Sequence, residues 1–182
     1  MTGALRTPVV VLLAAVVLPV LLGGCGQTPD ADPSAAASVR GVGWSPCDGL
    51  NAGSVSKLAG QPMTEQTGTT DQPRCAFTPE RKGGAAYDVN YLWFDGGLGS
   101  AWESMGDVAG TVTDIDVPGA QAARLVVNAT RSAVLVSGFV QTKGLVQSVN
   151  AVQLAPYDER TVARATRGLL AELAAHAPDP SS

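Results

Sequence analysis

Histidine occurs once in this 182-residue chain, as His176, and cysteine three times, at positions 25, 47 and 75, with no Cys-x-x-Cys spacing. The lone histidine stands at the end of the last predicted helix, where a cation interacts favourably with the helix dipole. No Ser-His-Asp or Cys-His arrangement can be assembled around it. Isolated cysteines without a neighbouring histidine make a poor metal set, so no metal and no other cofactor is expected. Basic residues are scattered, and twelve Lys and Arg against sixteen Asp and Glu leave a net charge of −4. That balance argues against nucleic acid or an anionic bilayer surface as partner. Beyond the N-terminal segment no apolar run approaches the roughly 20 residues of a membrane span. Gly96-Gly97-Leu98-Gly99 joins a strand to a helix, a place where backbone N–H groups can cradle an anion. It lacks the Lys-Ser/Thr of a phosphate-binding loop and the GxGxxG spacing of a dinucleotide site, and reads as a tight turn.

What the chain does carry begins at its N-terminus. Val9 to Leu22 is uncharged and follows the positive Arg6, the build of a secretory signal peptide. Leu22-Gly23-Gly24-Cys25 resembles a bacterial lipobox, which implies cleavage after Gly24 and a diacylglycerol thioether on Cys25. Removing residues 1–24 leaves 158 residues and, because Arg6 is the only charge lost, a net charge of −5. That length suits one compact domain. With Cys25 assigned to the lipid, Cys47 and Cys75 remain as a pair in an oxidising compartment, and a disulfide is expected, two free thiols being the alternative. A bridge closing a loop of about 28 residues restrains the unfolded chain by ~3 to 4 kcal/mol.

Residues 25–43 are the lipidated cysteine and a tether rich in Ala, Ser, Pro and Gly, a composition that stays disordered. The domain is expected over residues 44–178, beginning near Trp44, with a frayed tail at 179–182. Asn51 caps a helix over Ala52 to Ala59 whose Val55, Leu58 and Ala59 share a face, and Gly60 and Pro62 end it. A turn-rich stretch runs on to Pro73, then Cys75 to Phe77 reads as a short strand. Tyr87, Val89, Tyr91 and Trp93 alternate with Asp88, Asn90 and Leu92, the clearest strand in the chain. Ser100 caps a helix through about Val108 that presents Ala101, Met105 and Val108 to the core. Strands are expected at Thr111 to Val117, Ala122 to Asn128, Ala133 to Gln141 and Leu145 to Leu154, forming an antiparallel meander. Asp158 then caps a helix with Val162, Ala165, Leu169, Leu170 and Leu173 at helical spacing, ending near His176.

Pro46-Cys47, the short helix from Leu50 to Gly60, Arg74-Cys75-Ala76-Phe77 and Tyr91-Leu92-Trp93-Phe94-Asp95-Gly96-Gly97-Leu98 together resemble small lipoproteins of mycobacteria and related actinobacteria that form a domain family of unknown function. Many members of that pattern carry a second cysteine pair in the C-terminal half. This chain has none there, so a neighbouring lipoprotein family with a single pair is an equal match. The resemblance implies an α+β fold, a twisted antiparallel sheet packed by a C-terminal helix and shorter helices in the layout of PsbP-like and LpqN-like domains, with one disulfide. Layout alone assigns no activity.

Four aromatics, Tyr87, Tyr91, Trp93 and Trp102, are the set best able to line a ligand surface, because such rings bury large area while keeping a polar handle. Period-two aromatics also serve as core. Asp114 and Asp116 fall two apart on a predicted strand and so on one face, where a carboxylate pair can do acid–base work, though solvated strand residues look the same. Asn128-Ala129-Thr130 matches a glycosylation acceptor and reads as a turn in a bacterial lipoprotein. The expected function is a non-enzymatic binding or structural module of the cell envelope, lipid-anchored on the outer face of the cytoplasmic membrane. Its partner is an envelope lipid, a glycan or a protein. The alternatives are a hydrolase of envelope material using Asp114 and Asp116, and an accessory subunit of an envelope complex.

Overall fold

The structure, a computed structural model, describes residues 45–69 and 74–178. The leader at 1–24, Cys25 with the tether to residue 43, Trp44 and the tail at 179–182 lie outside the described residues.

Caps set the first two helices. Ser45 accepts a hydrogen bond from the Cys47 N–H while the Asp48 carboxylate takes the N–H of Ser45, starting the one-turn helix α1 (Pro46–Gly49). Asn51 Oδ1 accepts from Ser54 N at 3.0 Å at the start of α2 (Ala52–Ala59), and Gly60 ends it in the left-handed conformation. Seven strands follow: β1 (Met63–Thr67), β2 (Cys75–Pro79), β3 (Ala86–Trp93), β4 (Thr111–Asp114), β5 (Ala122–Ala129), β6 (Ala133–Thr142) and β7 (Leu145–Leu154). Helix α3 (Gly97–Met105) lies between β3 and β4, and α4 (Glu159–Ala175) closes the chain. The fold is α+β, one antiparallel sheet in the order β1-β2-β3-β7-β6-β5-β4. The expected meander is β4 to β7, and β3 docks on β7 in a register running from Ala86 opposite Val152 to Trp93 opposite Leu145. Lys143 and Gly144, both at positive φ, make the two-residue turn that joins β6 to β7.

Alternation along the strands separates two faces. One carries Tyr87, Val89, Leu125, Val134, Val136, Val140, Val149 and Ala151, all buried, and α4 lies across it. Val162, Ala165, Leu169, Leu170 and Leu173 of α4 are each at most 1% exposed, as their spacing predicts, and Asp158 Oδ1 caps Thr161 N at 3.1 Å. Two glycines allow this helix its close fit. A Cβ on Gly138 of β6 would meet Leu170 Cδ1 at 2.8 Å and Thr166 Cγ2 at 2.9 Å, and one on Gly168 would meet Leu58 of α2 at 2.6 Å. Cys47 and Cys75 are joined in a disulfide, with Cα atoms 5.3 Å apart, which ties α1 to β2.

The one-turn α1 has no counterpart in the expected elements, and three others depart from expectation. The turn-rich stretch holds β1, a polar edge strand of which only Met63 is buried, paired to β2 along its whole length. Helix α3 starts at Gly97 instead of Ser100 and buries Leu98 while leaving Met105 44% exposed, because Gln141 Oε1 takes the Leu98 N–H and so sets the start of the helix. The strand from Thr111 ends at Asp114; Ile115 N still bonds Ala123 O, but the chain beyond turns into the Pro118-Gly119 loop.

Gly138→Ala is expected to cost about 1 to 3 kcal/mol by forcing α4 off β6, measured by denaturant unfolding; a change below about 0.5 kcal/mol would mean that the helix seat is not tight. Burial pushes the Tyr87 hydroxyl from 10.0 up to about 12. A raised folded-state value means this stability is intact below about pH 10 and lost as pH climbs towards about 12. In an alkaline titration of tyrosinate absorbance, one of the three tyrosines should ionise late and together with unfolding.

Candidate binding groove

The face of the sheet opposite α4 is crossed at one end by α3. Leu98 anchors it, and Trp102, four residues on and hence on the same side of the helix, stands edge-on to Phe139 of β6, with centroids 5.6 Å apart and planes at 89°. Over the Trp102 ring sits the Arg124 guanidinium, 4.9 Å from the centroid. Arg124 Nε in turn donates to Asp114 Oδ1 at 2.8 Å, since the β4–β5 register sets these two residues opposite each other. The same register places Arg124 opposite Phe139. Asp114, Arg124, Trp102 and Phe139 thus form a continuous stack across four elements, β4, β5, α3 and β6. The cation–π contact contributes about 0.5 to 1 kcal/mol, and the exposed ion pair at most about 1 kcal/mol. The stack's role is therefore positional more than stabilising.

Beside it opens a groove of about 420 Å³ lined by Gly99, Trp102, Glu103, Val112, Asp114 and Arg124. An aromatic edge, a guanidinium and two carboxylates around one apolar residue suit recognition of a polar, hydroxyl-bearing group by hydrogen bonds. Acid–base chemistry is poorly served: the Asp114 carboxylate is bound to Arg124. Asp116 lies beyond the end of β4, so the period-two argument that put both on one strand face does not apply.

The four predicted aromatics do not share a surface. Tyr87, Tyr91 and Trp93 alternate onto the α4 side of β3, whereas Trp102 reaches the sheet from α3 on the other side. Tyr87 is core at 2% exposure. Tyr91 and Trp93 are half-buried near the strand's end, and burial raises the Tyr91 hydroxyl above its ordinary range. The Trp93 Nε1, Thr142 Oγ1 and Gln147 Oε1 atoms there are buried without a partner among the described residues. Sulphur atoms of Cys47 and Cys75 and a Glu65 carboxylate oxygen lie within 4.8 Å of one another, but the disulfide leaves no thiolate to offer a metal. His176 Nδ1 meets Glu172 O at 2.8 Å at the end of α4, and its Cβ lies 2.8 Å from where a Gly49 Cβ would stand. Of Asn128-Ala129-Thr130, read as a turn, the first two residues belong to β5 and only Thr130 lies in the turn, where its Oγ1 bonds the Ala133 carbonyl and N–H.

Arg124, Glu103 and Phe139 were not singled out by sequence reasoning. A hairpin centred on Pro118-Gly119 is the signal that brings Asp114 opposite Arg124. Compared with known proteins, the chain matches no family model, no curated protein and no solved structure.

A double-mutant cycle with Arg124→Ala and Trp102→Ala is expected to give a coupling of about 0.5 to 1 kcal/mol. Each variant should fold, because both side chains pack outside the α4 core. Additivity within error would dissolve the stack.

Proposed function

We propose that the chain is a lipid-anchored envelope protein, held on the outer face of the cytoplasmic membrane through Cys25, whose folded domain acts as a non-enzymatic binding module. The observation that carries this reading is the Trp102 groove. Its polar groups are fixed by one another, Arg124 by Asp114 and by the ring, so the surface is organised before any ligand arrives and its binding loses little side-chain entropy. The uncharged leader behind Arg6, ending in Leu22-Gly23-Gly24-Cys25, supports the anchor, and the Cys47–Cys75 bridge suits an oxidising compartment. The resemblance to actinobacterial small lipoproteins points the same way.

Expressed as the full chain in an actinobacterial host, the protein should take up labelled fatty acid and sediment with membranes, and Cys25→Ser should lose both. Unchanged label and retention in that variant would sink the anchor. For the binding module, native mass spectrometry of the detergent-solubilised full chain should show an excess mass that disappears on denaturation and is absent from a Trp102→Ala, Arg124→Ala variant. A bare mass in the parent, or an excess mass that survives in the variant, would remove the groove from the function.

A further inference from the structure

Helix α4 packs over β6 and β7 and reaches β5, while the edge strand β4 extends past it with all four residues exposed. Between β4, β5 and the first half of α4 runs a second groove of about 500 Å³, on the opposite side of the sheet from Trp102. One wall presents Thr111 and Thr113 of β4, which the register places opposite Val127 and Leu125, and Asn128 stands at its end. The other wall is α4, with Glu159, Arg160, Ala163 and Arg167.

Arg160 and Arg167 are seven residues apart, on one side of the helix and about 10 Å apart along its axis. Ala163 lies between them and carries only a methyl group, leaving both long side chains free to converge above it. Among the described residues neither arginine makes an ion pair or a side-chain hydrogen bond. Two other arginines are paired with carboxylates, Arg74 with Asp88 and Arg124 with Asp114, and Arg164 donates to Thr161 Oγ1. The helix N-terminus is not the anion site, because Asp158 already accepts from the Thr161 hydroxyl and the Thr161 amide, bonds that hold its carboxyl below the usual range. Two unneutralised guanidiniums, with Glu159 beside them on α4, face the hydroxyls of Thr111 and Thr113 across a floor that includes Val127. Guanidinium pairs match phosphate oxygens, and the remaining groups match the hydroxyls of a polyol, with Glu159 accepting from one and disfavouring a second negative charge.

We propose that this groove binds a phosphorylated polyol, its phosphate held by Arg160 and Arg167 above Ala163 and its hydroxyls by Thr111, Thr113 and Glu159. The proposal is independent of the Trp102 groove and of the anchor. The polyol phosphate is either the headgroup of an envelope lipid or a free sugar phosphate.

Calorimetric titration of the detergent-solubilised full chain tests it, with inositol 1-phosphate, inorganic phosphate, myo-inositol and the water-soluble dihexanoyl phosphatidylinositol as probes. Inositol 1-phosphate should bind saturably and more tightly than inorganic phosphate or myo-inositol. Arg160→Gln with Arg167→Gln should weaken it at least about tenfold, and Trp102→Ala should leave it unchanged. Thr111→Val with Thr113→Val, which keeps the charges, should narrow the preference over inorganic phosphate. Tighter binding of the short-chain lipid supports a lipid headgroup, and equal or weaker binding supports a free sugar phosphate. No saturable binding of either polyol phosphate would overturn the proposal. So would affinity for inositol 1-phosphate no better than for inorganic phosphate, or unchanged binding in an arginine variant whose thermal unfolding matches the parent.

Discussion

The contact on which the rest depends is α4 pressed onto the middle of the sheet at Gly138. Because that position carries no side chain, Leu170 and Thr166 settle onto β6, and the buried valines of β6 and β7 close against Leu169 and Leu173. Interiors packed to this density tolerate no added methylene without displacement. A helix placed there also decides what is left uncovered: α4 packs chiefly on β6 and β7 and only lightly on β5, so β4, with no strand beyond it, keeps all four of its residues exposed.

That uncovered edge gives a four-residue strand two surfaces. Val112 and Asp114 turn to the side where α3 brings Trp102, and Thr111 and Thr113 turn to the side where α4 brings Arg160 and Arg167. Edge strands invite pairing with other chains, and natural proteins blunt them by keeping them short and charged. β4 is short and ends in Asp114, and its alternate residues each serve a different groove.

Legibility in the sequence followed the range of the interaction. Period-two alternation marked β3, the turns at Pro118-Gly119 and Lys143-Gly144 marked the meander, and Asn51 and Asp158 marked two helix starts, because these signals lie within a few residues of their effect. β1 escaped because Thr64, Glu65, Gln66 and Thr67 carry no apolar alternation; its backbone pairing with β2 makes it a strand. The start of α3 escaped because Gln141, 43 residues away, supplies the acceptor for Leu98 N. Trp102 was legible as an aromatic. Its separation from Tyr87, Tyr91 and Trp93 was not, since it depends on which face α3 crosses.

Charge shows the same limit. Along the chain the basic residues look scattered in an acidic protein, and the average predicts indifference to anions. Folding sorts them: Arg74 and Arg124 acquire carboxylates, while Arg160 and Arg167 share one side of α4 without one. Keeping two exposed arginines at helix positions about 10 Å apart along the axis costs little, because that spacing is comparable with the screening length of about 8 Å at physiological salt. A phosphate placed between them would gain from both at once, at closer range and with its remaining oxygens turned to the hydroxyl wall. Net charge therefore governs the approach of a partner from a distance, and the local pairing of each arginine governs what can be held once it has arrived.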